Sequence, residues 1–248
     1  MIAGIRAVTE ALAPGAGGAP ERLLLANKGS RALDALEQRA RARGVPVERV
    51  STSELGRVSR GLRHQGAIAL AAPYPYVDLE DLLSAADAPL LVALDSITDP
   101  HNLGAIVRSS VAFGVDGLVL PKRRAVGVTP AVTRVSTGAT AHARIAQVTN
   151  LSRALTSLAK AGLSIVGLAG EGEITLDALP DAPRGRVLVV GSEGKGLGRL
   201  VRERCDLLAR IDLPGPVASL NASVAAAIAI RECSRSRARQ SSASRSTP

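Results

Sequence analysis

From Pro89 onward, short apolar runs of strand length alternate with segments of helical period, and this alternation constrains the fold more than any other feature. Leu90–Leu94 reads as a buried strand. A helix placed after Asn102 sets Leu103, Ile106, Val107 and Val111 on one face. Gly117–Leu120 is the next strand, and Thr129–Pro130 supplies a cap residue and a first-turn proline for a further helix. Arg144–Val148 is a strand, after which Asn150 caps a helix carrying Leu151, Leu155 and Leu158 and stopped by Gly162. Ser164–Leu168, Val187–Val190 and Ala209–Leu213 read as strands, and Leu220–Glu232 as an Ala-rich helix. Strands alternating with helices imply an α/β fold built on a mostly parallel sheet covered on both faces.

The chain before Pro89 reads differently. Ile5, Val8 and Leu12 recur at helical spacing, Ala13–Pro20 is a Gly/Pro loop, and Arg22–Ala26 suits a short strand. Leu33–Arg43 is a basic helix stopped by Gly44 and Pro46, and Ala67–Ala71 closes the segment as a strand. Residues 1–72 thus form a small α/β domain with 11 basic and 6 acidic side chains. Residues 73–89, acidic and proline-bearing, read as a linker with a short helix at Leu79–Ser84. Residues 90–233 make the larger domain. Residues 234–248, rich in Ser and Arg with no apolar face, read as a disordered basic tail.

Composition narrows the function. Lys and Arg number 31 against 22 Asp and Glu, a net charge of +9, which points to an anionic partner such as RNA. Phe113, Tyr74 and Tyr76 are the whole aromatic complement, too few for recognition by base stacking. Cys205 and Cys233 cannot make a disulfide framework, and His64, His101 and His142 are too scattered to suggest a metal site. No apolar run has the roughly 20 residues needed to span a bilayer. Arg6 and Glu10 interrupt the stretch where a secretory leader would be apolar. The expectation is a cytoplasmic protein that needs no metal and no membrane.

Three polar segments follow strands, at the ends where open α/β sheets bind ligands. They are Asp95-Ser96-Ile97-Thr98-Asp99-Pro100-His101-Asn102-Leu103-Gly104-Ala105 with Arg108 beyond it, Gly191-Ser192-Glu193-Gly194-Lys195-Gly196-Leu197-Gly198, and Ile211 to Asn221. The second is not a phosphate-cradling P-loop: Val189 occupies the leading glycine position and Gly196 follows Lys195. A dinucleotide glycine loop would follow the first strand of its domain, and this one comes about 100 residues later. Taken alone, the glycines read as a tight turn.

Taken together, in this order, the segments resemble the three motifs of the SpoU/TrmH family of RNA 2′-O-ribose methyltransferases, of the SPOUT superfamily. The carriers are Asp-Pro-His-Asn-Leu-Gly-Ala with Arg108, Gly-Ser-Glu-Gly-x-Gly, and Ser219-Leu220-Asn221-x-Ser223-Val224-Ala225. The resemblance covers Leu90–Glu232. Gly4-Ile5-x-Ala7-Val8-x-Glu10-Ala11-Leu12 and His64-Gln65-Gly66 are similar to that family's ribosomal-protein-like RNA-binding domain. The arrangement is most like the RlmB-type enzymes, which methylate a guanosine ribose of 23S rRNA.

The resemblance implies a C-terminal trefoil knot, a homodimer, S-adenosyl-L-methionine as methyl donor, and RNA as substrate. It places Asn102, Arg108, Glu193, Ser219 and Asn221 in the catalytic pocket, and Leu168, Gly191, Ile211 and Leu220 against the cofactor. A guanidinium stays protonated in proteins, so Arg108 is expected to position the ribose and stabilise a developing alkoxide, not to act as the base. Each residue also has a plainer reading. Asn102, Ser219 and Asn221 suit helix caps, Glu193 suits a loop partner for Lys195, and Arg108 suits a solvated helix position. Lys122, Arg123 and Arg124, and Arg39, Arg41, Arg43, Arg57, Arg60 and Arg63, are candidates for RNA backbone contact or simply solvated faces. Rival functions are the same chemistry on tRNA or on an antibiotic-resistance site in rRNA, and a non-catalytic RNA-binding or ribosome-assembly protein.

Overall fold

The computed structural model describes residues 1–13, 20–70 and 73–245, with side chains through Arg239. The Gly/Pro loop expected at Ala13–Pro20, and the end of the strand expected at Ala67–Ala71, lie largely outside the described residues. The chain groups into two compact units, Met1–Pro75 with Val128–Ala143, and Tyr76–Gly127 with Arg144–Pro248.

The first unit is built on a four-stranded sheet of β1 (Ile2–Ala3), β2 (Arg22–Ala26), β3 (Val47–Val50) and β4 (Ala67–Leu70), in the order β1-β4-β2-β3. β4 runs antiparallel to both β1 and β2, and β3 pairs parallel with β2. Around it pack α1 (Ile5–Ala11), α2 (Arg31–Ala42) and α3 (Thr52–Ser59). Ser30 and Ser51 cap α2 and α3 with their hydroxyls, accepting from Leu33 N–H at 3.4 Å and Glu54 N–H at 3.2 Å. Leu23, Leu25, Leu33, Leu36, Leu55 and Ile68 fill the core. The two short segments that resemble an RNA-binding domain meet: the Gln65 side chain accepts from Ile5 N–H at 3.3 Å at the start of α1.

Residues 128–143, expected inside the larger domain, belong to this unit. They form α6 (Pro130–Val135), capped by Thr129, and a 3-10 turn at Ala139–Ala141. Gly138 explains the close fit. Its φ is +90°, and a Cβ there would lie 2.3 Å from Glu10 Cβ, so α1 sits directly on its backbone. His142 Nε2 reaches Glu10 at 3.2 Å, and the Tyr74 hydroxyl donates to the Ala143 carbonyl.

The second unit holds α4 (Leu79–Leu83), β5 (Leu90–Leu94), α5 (Pro100–Ala112), β6 (Gly117–Pro121), β7 (Ile145–Val148), α7 (Leu151–Lys160), β8 (Ser164–Leu168), β9 (Ile174–Thr175), β10 (Arg186–Val190), α8 (Arg199–Arg202), β11 (Leu207–Arg210) and α9 (Ala222–Arg245). Its seven strands run in the order β7-β6-β5-β10-β8-β11-β9, and every pairing is parallel. The strand order reverses between β5 and β10, which makes a topological switch point. The α/β class and parallel sheet are as expected. Residues 76–89 are part of this unit and not a free linker: Val77 bridges to Ala146, and Leu82 of α4 is fully buried against β6 and β7 neighbours such as Val119 and Ala146.

Two aspartates lock strand starts by the same device. Asp116 accepts from Leu90 N–H while its own N–H donates to the Leu90 carbonyl, at 2.8 and 2.9 Å. Asp206 does the same with Ile165, both at 2.8 Å. The helix expected over Leu220–Glu232 starts at Ala222 and continues through Arg245, so residues 234–245 are helical and not a disordered tail. Polar docking replaces the missing apolar face: Ser234 Oγ donates to the Phe113 carbonyl at 2.8 Å, and Arg237 pairs with Asp116 and the Gly114 carbonyl. Arg237→Ala should therefore unwind the last turns of α9, reading out as reduced helical circular dichroism and a stability loss of about 1.5–3 kcal/mol, the range for hydrogen bonds to charged groups.

Candidate active site

Asp95, 8% exposed, is the anchor of the loops at the switch point. Its N–H donates to the Val190 carbonyl at 2.8 Å, joining β5 to β10. One carboxylate oxygen accepts from Gly198 N–H at 2.7 Å, and the other from Ser96 Oγ at 3.0 Å. Between β10 and Gly198 the chain makes a tight turn closed by two backbone bonds between Ser192 and Gly196, at 3.1 and 2.9 Å. Gly191 sits under that turn. A Cβ on it would lie 2.2 Å from the Gly196 carbonyl carbon, a distance no packing can absorb. The plain reading of these glycines, backbone against backbone, is thus correct, and the turn it creates walls a cavity.

That cavity measures about 530 Å³, within the range of small-molecule sites. It opens over the carboxyl ends of β10 and β8 and the segment after β11. Leu168, Gly191, Ile211 and Leu220, all expected against a cofactor, line it, as do Glu193 and Ser219. Their apolar side chains and the glycine-rich backbone suit a flat, largely neutral ring system.

Beside it lies a polar cluster centred on Asn221. The Asn221 Oδ1 accepts from Ser223 N–H at 2.9 Å, Ser223 Oγ at 2.6 Å and Val224 N–H at 3.4 Å, capping α9. Its Nδ2 donates to Asn102 Oδ1 at 3.0 Å and to Glu193 Oε2 at 3.2 Å. The cap reading therefore holds for Asn221 but not for Asn102. Asp99 caps α5, accepting from His101 N–H at 2.9 Å, with Pro100 in the first turn and Asn102 already inside the helix. Ser219 caps nothing and faces the cavity. Glu193 is held by Asn221 and makes no ion pair with Lys195.

Arg108 stands apart. It follows Asn102 by six residues, about 240° around α5 and about 9 Å along it. It is exposed, lines no part of the cavity and has no hydrogen-bond partner among the described residues. Lys122, Arg123 and Arg124 are exposed on the loop after β6. In the first unit Arg41 is paired with Glu37 and Arg57 with Glu54.

Sequence reasoning missed two charged side chains that line the cavity, Glu171 and Arg202. They form an ion pair. The Arg202 guanidinium, and then a backbone N–H, hold the Glu171 carboxyl below the usual carboxylate range. No spacing announces them, because both sit on short elements, the turn after β8 and the single turn of α8. Nearby Cys205 is a free, half-buried thiol. Burial, and then the charge of Asp206, push its thiol up to about 11.

Comparison with known proteins fits this geometry. The model of the SpoU rRNA methylase family matches residues 89–231, and that of the RNA 2′-O ribose methyltransferase substrate-binding domain matches residues 1–77. The chain belongs to the SpoU rRNA methylase family. It is 50% identical over 204 residues, 81% of its length, to an uncharacterized tRNA/rRNA methyltransferase of Mycolicibacterium smegmatis, and that match spans 65% of the relative. The SpoU methyltransferase AviRb of Streptomyces viridochromogenes, solved in complex with the cofactor AdoMet, is similar in structure, with a TM-score of 0.78 and 26% identity over 96% of this chain and 89% of that one. An AdoMet-bound rRNA methyltransferase of Sinorhizobium meliloti gives a TM-score of 0.78 and 25% identity over 94% and 85%.

Two outcomes test the site's construction. Gly191→Ala should break the Ser192–Gly196 turn, seen as loss of amide protection at both residues by hydrogen exchange. Asn221→Asp keeps the cap but sets a carboxylate against Glu193. Its destabilisation should exceed that of Asn221→Ala, about 1 kcal/mol for a lost cap, because two carboxylates then face each other in place of an amide and a carboxylate. Thermal melts of the two variants read the difference.

Proposed function

We propose that the protein transfers a methyl group from S-adenosyl-L-methionine to the 2′-hydroxyl of a ribose in RNA, and that the RNA is 23S ribosomal RNA methylated at a guanosine. The observation that carries this reading is the cavity at the switch point, walled by glycine backbone and by Leu168, Ile211 and Leu220, with the Asn102–Asn221–Glu193 cluster at its side. Leu168, Gly191, Ile211 and Leu220 hold the cofactor, which when bound supplies an electrophilic methyl on sulfur. Glu193 and Asn221 hold the loops in register, Asn102 fixes the start of α5 to them, and Ser219 offers a hydroxyl to the pocket. Arg108, exposed and with no side-chain partner among the described residues, is available to an RNA phosphate and to the oxygen on which charge develops.

Residues 1–72 place the substrate. The match to an RNA 2′-O ribose methyltransferase substrate-binding model supports this, as does the surplus of cations in that segment. A homodimer belongs to the same reading. Val224 and Ile228, 47% and 38% exposed and one turn apart on α9, form the apolar strip that supports it. So does a trefoil knot, supported by the course of the chain, which leaves β11 beyond β8 and returns to lay α9 against α5, β5 and β10. No described helix is long and apolar enough to cross a membrane. We place the protein in the cytoplasm, where its RNA is made.

The test is transfer of labelled methyl from S-adenosylmethionine to 23S rRNA by the purified protein, with mass-spectrometric mapping of the product. Arg108→Ala and Arg108→Lys should each lose roughly 10²–10³-fold in turnover, the cost of one lost stabilising donor. Cofactor affinity by calorimetry should stay within about threefold. Methyl transfer by Arg108→Lys at the wild-type rate would remove the specific guanidinium role, and no transfer to any RNA by a protein that binds the cofactor would favour the binding-protein alternative.

A further inference from the structure

We infer that Glu171 is the ribose reader of the nucleoside half of the cavity: its carboxylate accepts the two vicinal hydroxyls of the donor's adenosine, with Arg202 as the residue that positions it. The inference rests on the cofactor reading above and adds a specificity determinant to it.

The argument starts from strand order. β5, β10, β8 and β11 lie side by side. Asn102 follows β5 and Glu193 follows β10, so the reactive end of a bound donor belongs on the β5–β10 side. Glu171 follows β8, on the far side of β10, where the rest of the donor must extend. There the cavity wall is the side chains of Leu168, Ile211 and Leu220 and backbone, with Arg202 and the Ser219 hydroxyl as its other polar side chains. A buried diol needs acceptors, or each hydroxyl loses a bond it had in water. Among the described residues lining the cavity the carboxylates are Glu171 and Glu193, and Glu193 is committed to Asn221.

Glu171 is also built into place. It sits in a turn where Ala169 N–H donates to the Ala209 carbonyl at 2.9 Å and Gly172 N–H to the Ala169 carbonyl at 3.0 Å. Gly172 rests so closely on the next strand that a Cβ would lie 2.6 Å from the Ala209 carbonyl carbon. Arg202 projects from α8, whose first residue is preceded by Gly198, the residue held by Asp95. The ion pair thus ties two anchored loops, and a carboxylate has about four acceptor sites, enough to serve Arg202 and two hydroxyls together. A carboxylate on a ribose hydroxyl is the solution dinucleotide-binding folds reach on a different scaffold.

The experiment measures affinities of the full chain by calorimetry for S-adenosylhomocysteine, its 2′-deoxy and 3′-deoxy ribose analogues, and 5′-methylthioadenosine, which keeps the ribose and lacks the amino-acid end. The wild-type protein should prefer the ribose form by about tenfold or more over each deoxy form, the effect of a hydrogen bond to a charged group. Glu171→Gln should bring those ratios to within about twofold and weaken 5′-methylthioadenosine as much as S-adenosylhomocysteine. Arg202→Gln should reduce the ratios in part, and the double variant should behave as Glu171→Gln alone. Unchanged ratios in Glu171→Gln would overturn the inference. So would an equal loss for ribose and deoxy ligands, which marks a structural role, or a loss seen only with the amino-acid end present. A wild-type protein that binds none of the four ligands would sink the cofactor reading itself.

Discussion

The side-chain amide of Asn221 has no freedom to turn over. Its oxygen is committed to two backbone N–H groups at the start of α9, so its nitrogen must face Asn102 and Glu193. One residue therefore ends a loop, begins a helix and fixes the relative position of three segments that lie about 30 and about 120 residues apart in sequence. Reversing the amide would set two N–H donors against its own N–H₂ group and two acceptors against its oxygen, leaving only the Ser223 hydroxyl able to re-pair. The other anchor, Asp95, acts from beneath, tying the strand before α5 to the glycine turn after β10. Between these two fixed points the Ser192–Gly196 turn rests backbone to backbone on Gly191 and forms one wall of the cavity.

The larger unit was legible because buried parallel strands announce themselves as unbroken apolar runs. Leu90–Leu94, Gly117–Leu120, Ser164–Leu168 and Val187–Val190 all lie within a residue of their observed bounds. The strand expected at Ala209–Leu213 ends three residues early, at Arg210, because Arg210 turns to bond the Gly172 and Glu173 carbonyls and the chain leaves the sheet toward the cavity. β1, β3, β9, α3 and α8 went unread. β1, β3 and β9 are edge strands with one neighbour each, and such strands need no continuous apolar run. The tail went unread because its helix is stabilised by hydrogen bonds and charge, to which hydrophobic periodicity is blind.

Site residues divide along the same line. Positions that act through backbone shape, such as Gly191, or through a local cap, such as Asn221, leave a local mark in sequence. Asn102 shows the limit of that mark: an asparagine near a helix start reads as a cap, yet Asp99 takes the cap and frees the Asn102 amide to meet Asn221. Glu171 and Arg202 are 31 residues apart and meet only because β8 and β10 are neighbours in the sheet. Nothing in either segment alone distinguishes this pair from solvated charges. Residues 128–143 are the largest departure: no composition change marks them, and the contacts that place them, Glu10 on Gly138 and on His142, and Tyr74 on Ala143, join positions far apart in sequence.

Charge in the first unit is sorted, not merely in surplus. Its acidic side chains on α2 and β3 are largely consumed: Asp34 and Glu37 by Arg49, Glu37 also by Arg41, and Glu48 by Arg22. Arg6, Lys28, Arg31, Arg39, Arg60 and Arg63 have no hydrogen-bond or ion-pair partner among the described residues. The paired cations are screened by their partners at contact distance, so the field that a polyanion meets comes from the unpaired ones. Such a field falls off over about 8–10 Å at physiological salt and carries no sequence information. On the proposed function, affinity in this unit is separable from chemistry in the other, where the loops around the cavity are fixed by the Asn102–Asn221–Glu193 cluster, glycine backbone and one buried aspartate. The same proposal separates two kinds of variant: stripping the unpaired cations alters the field a polyanion meets, while disturbing Asn221 or Gly191 alters the loops that wall the cavity.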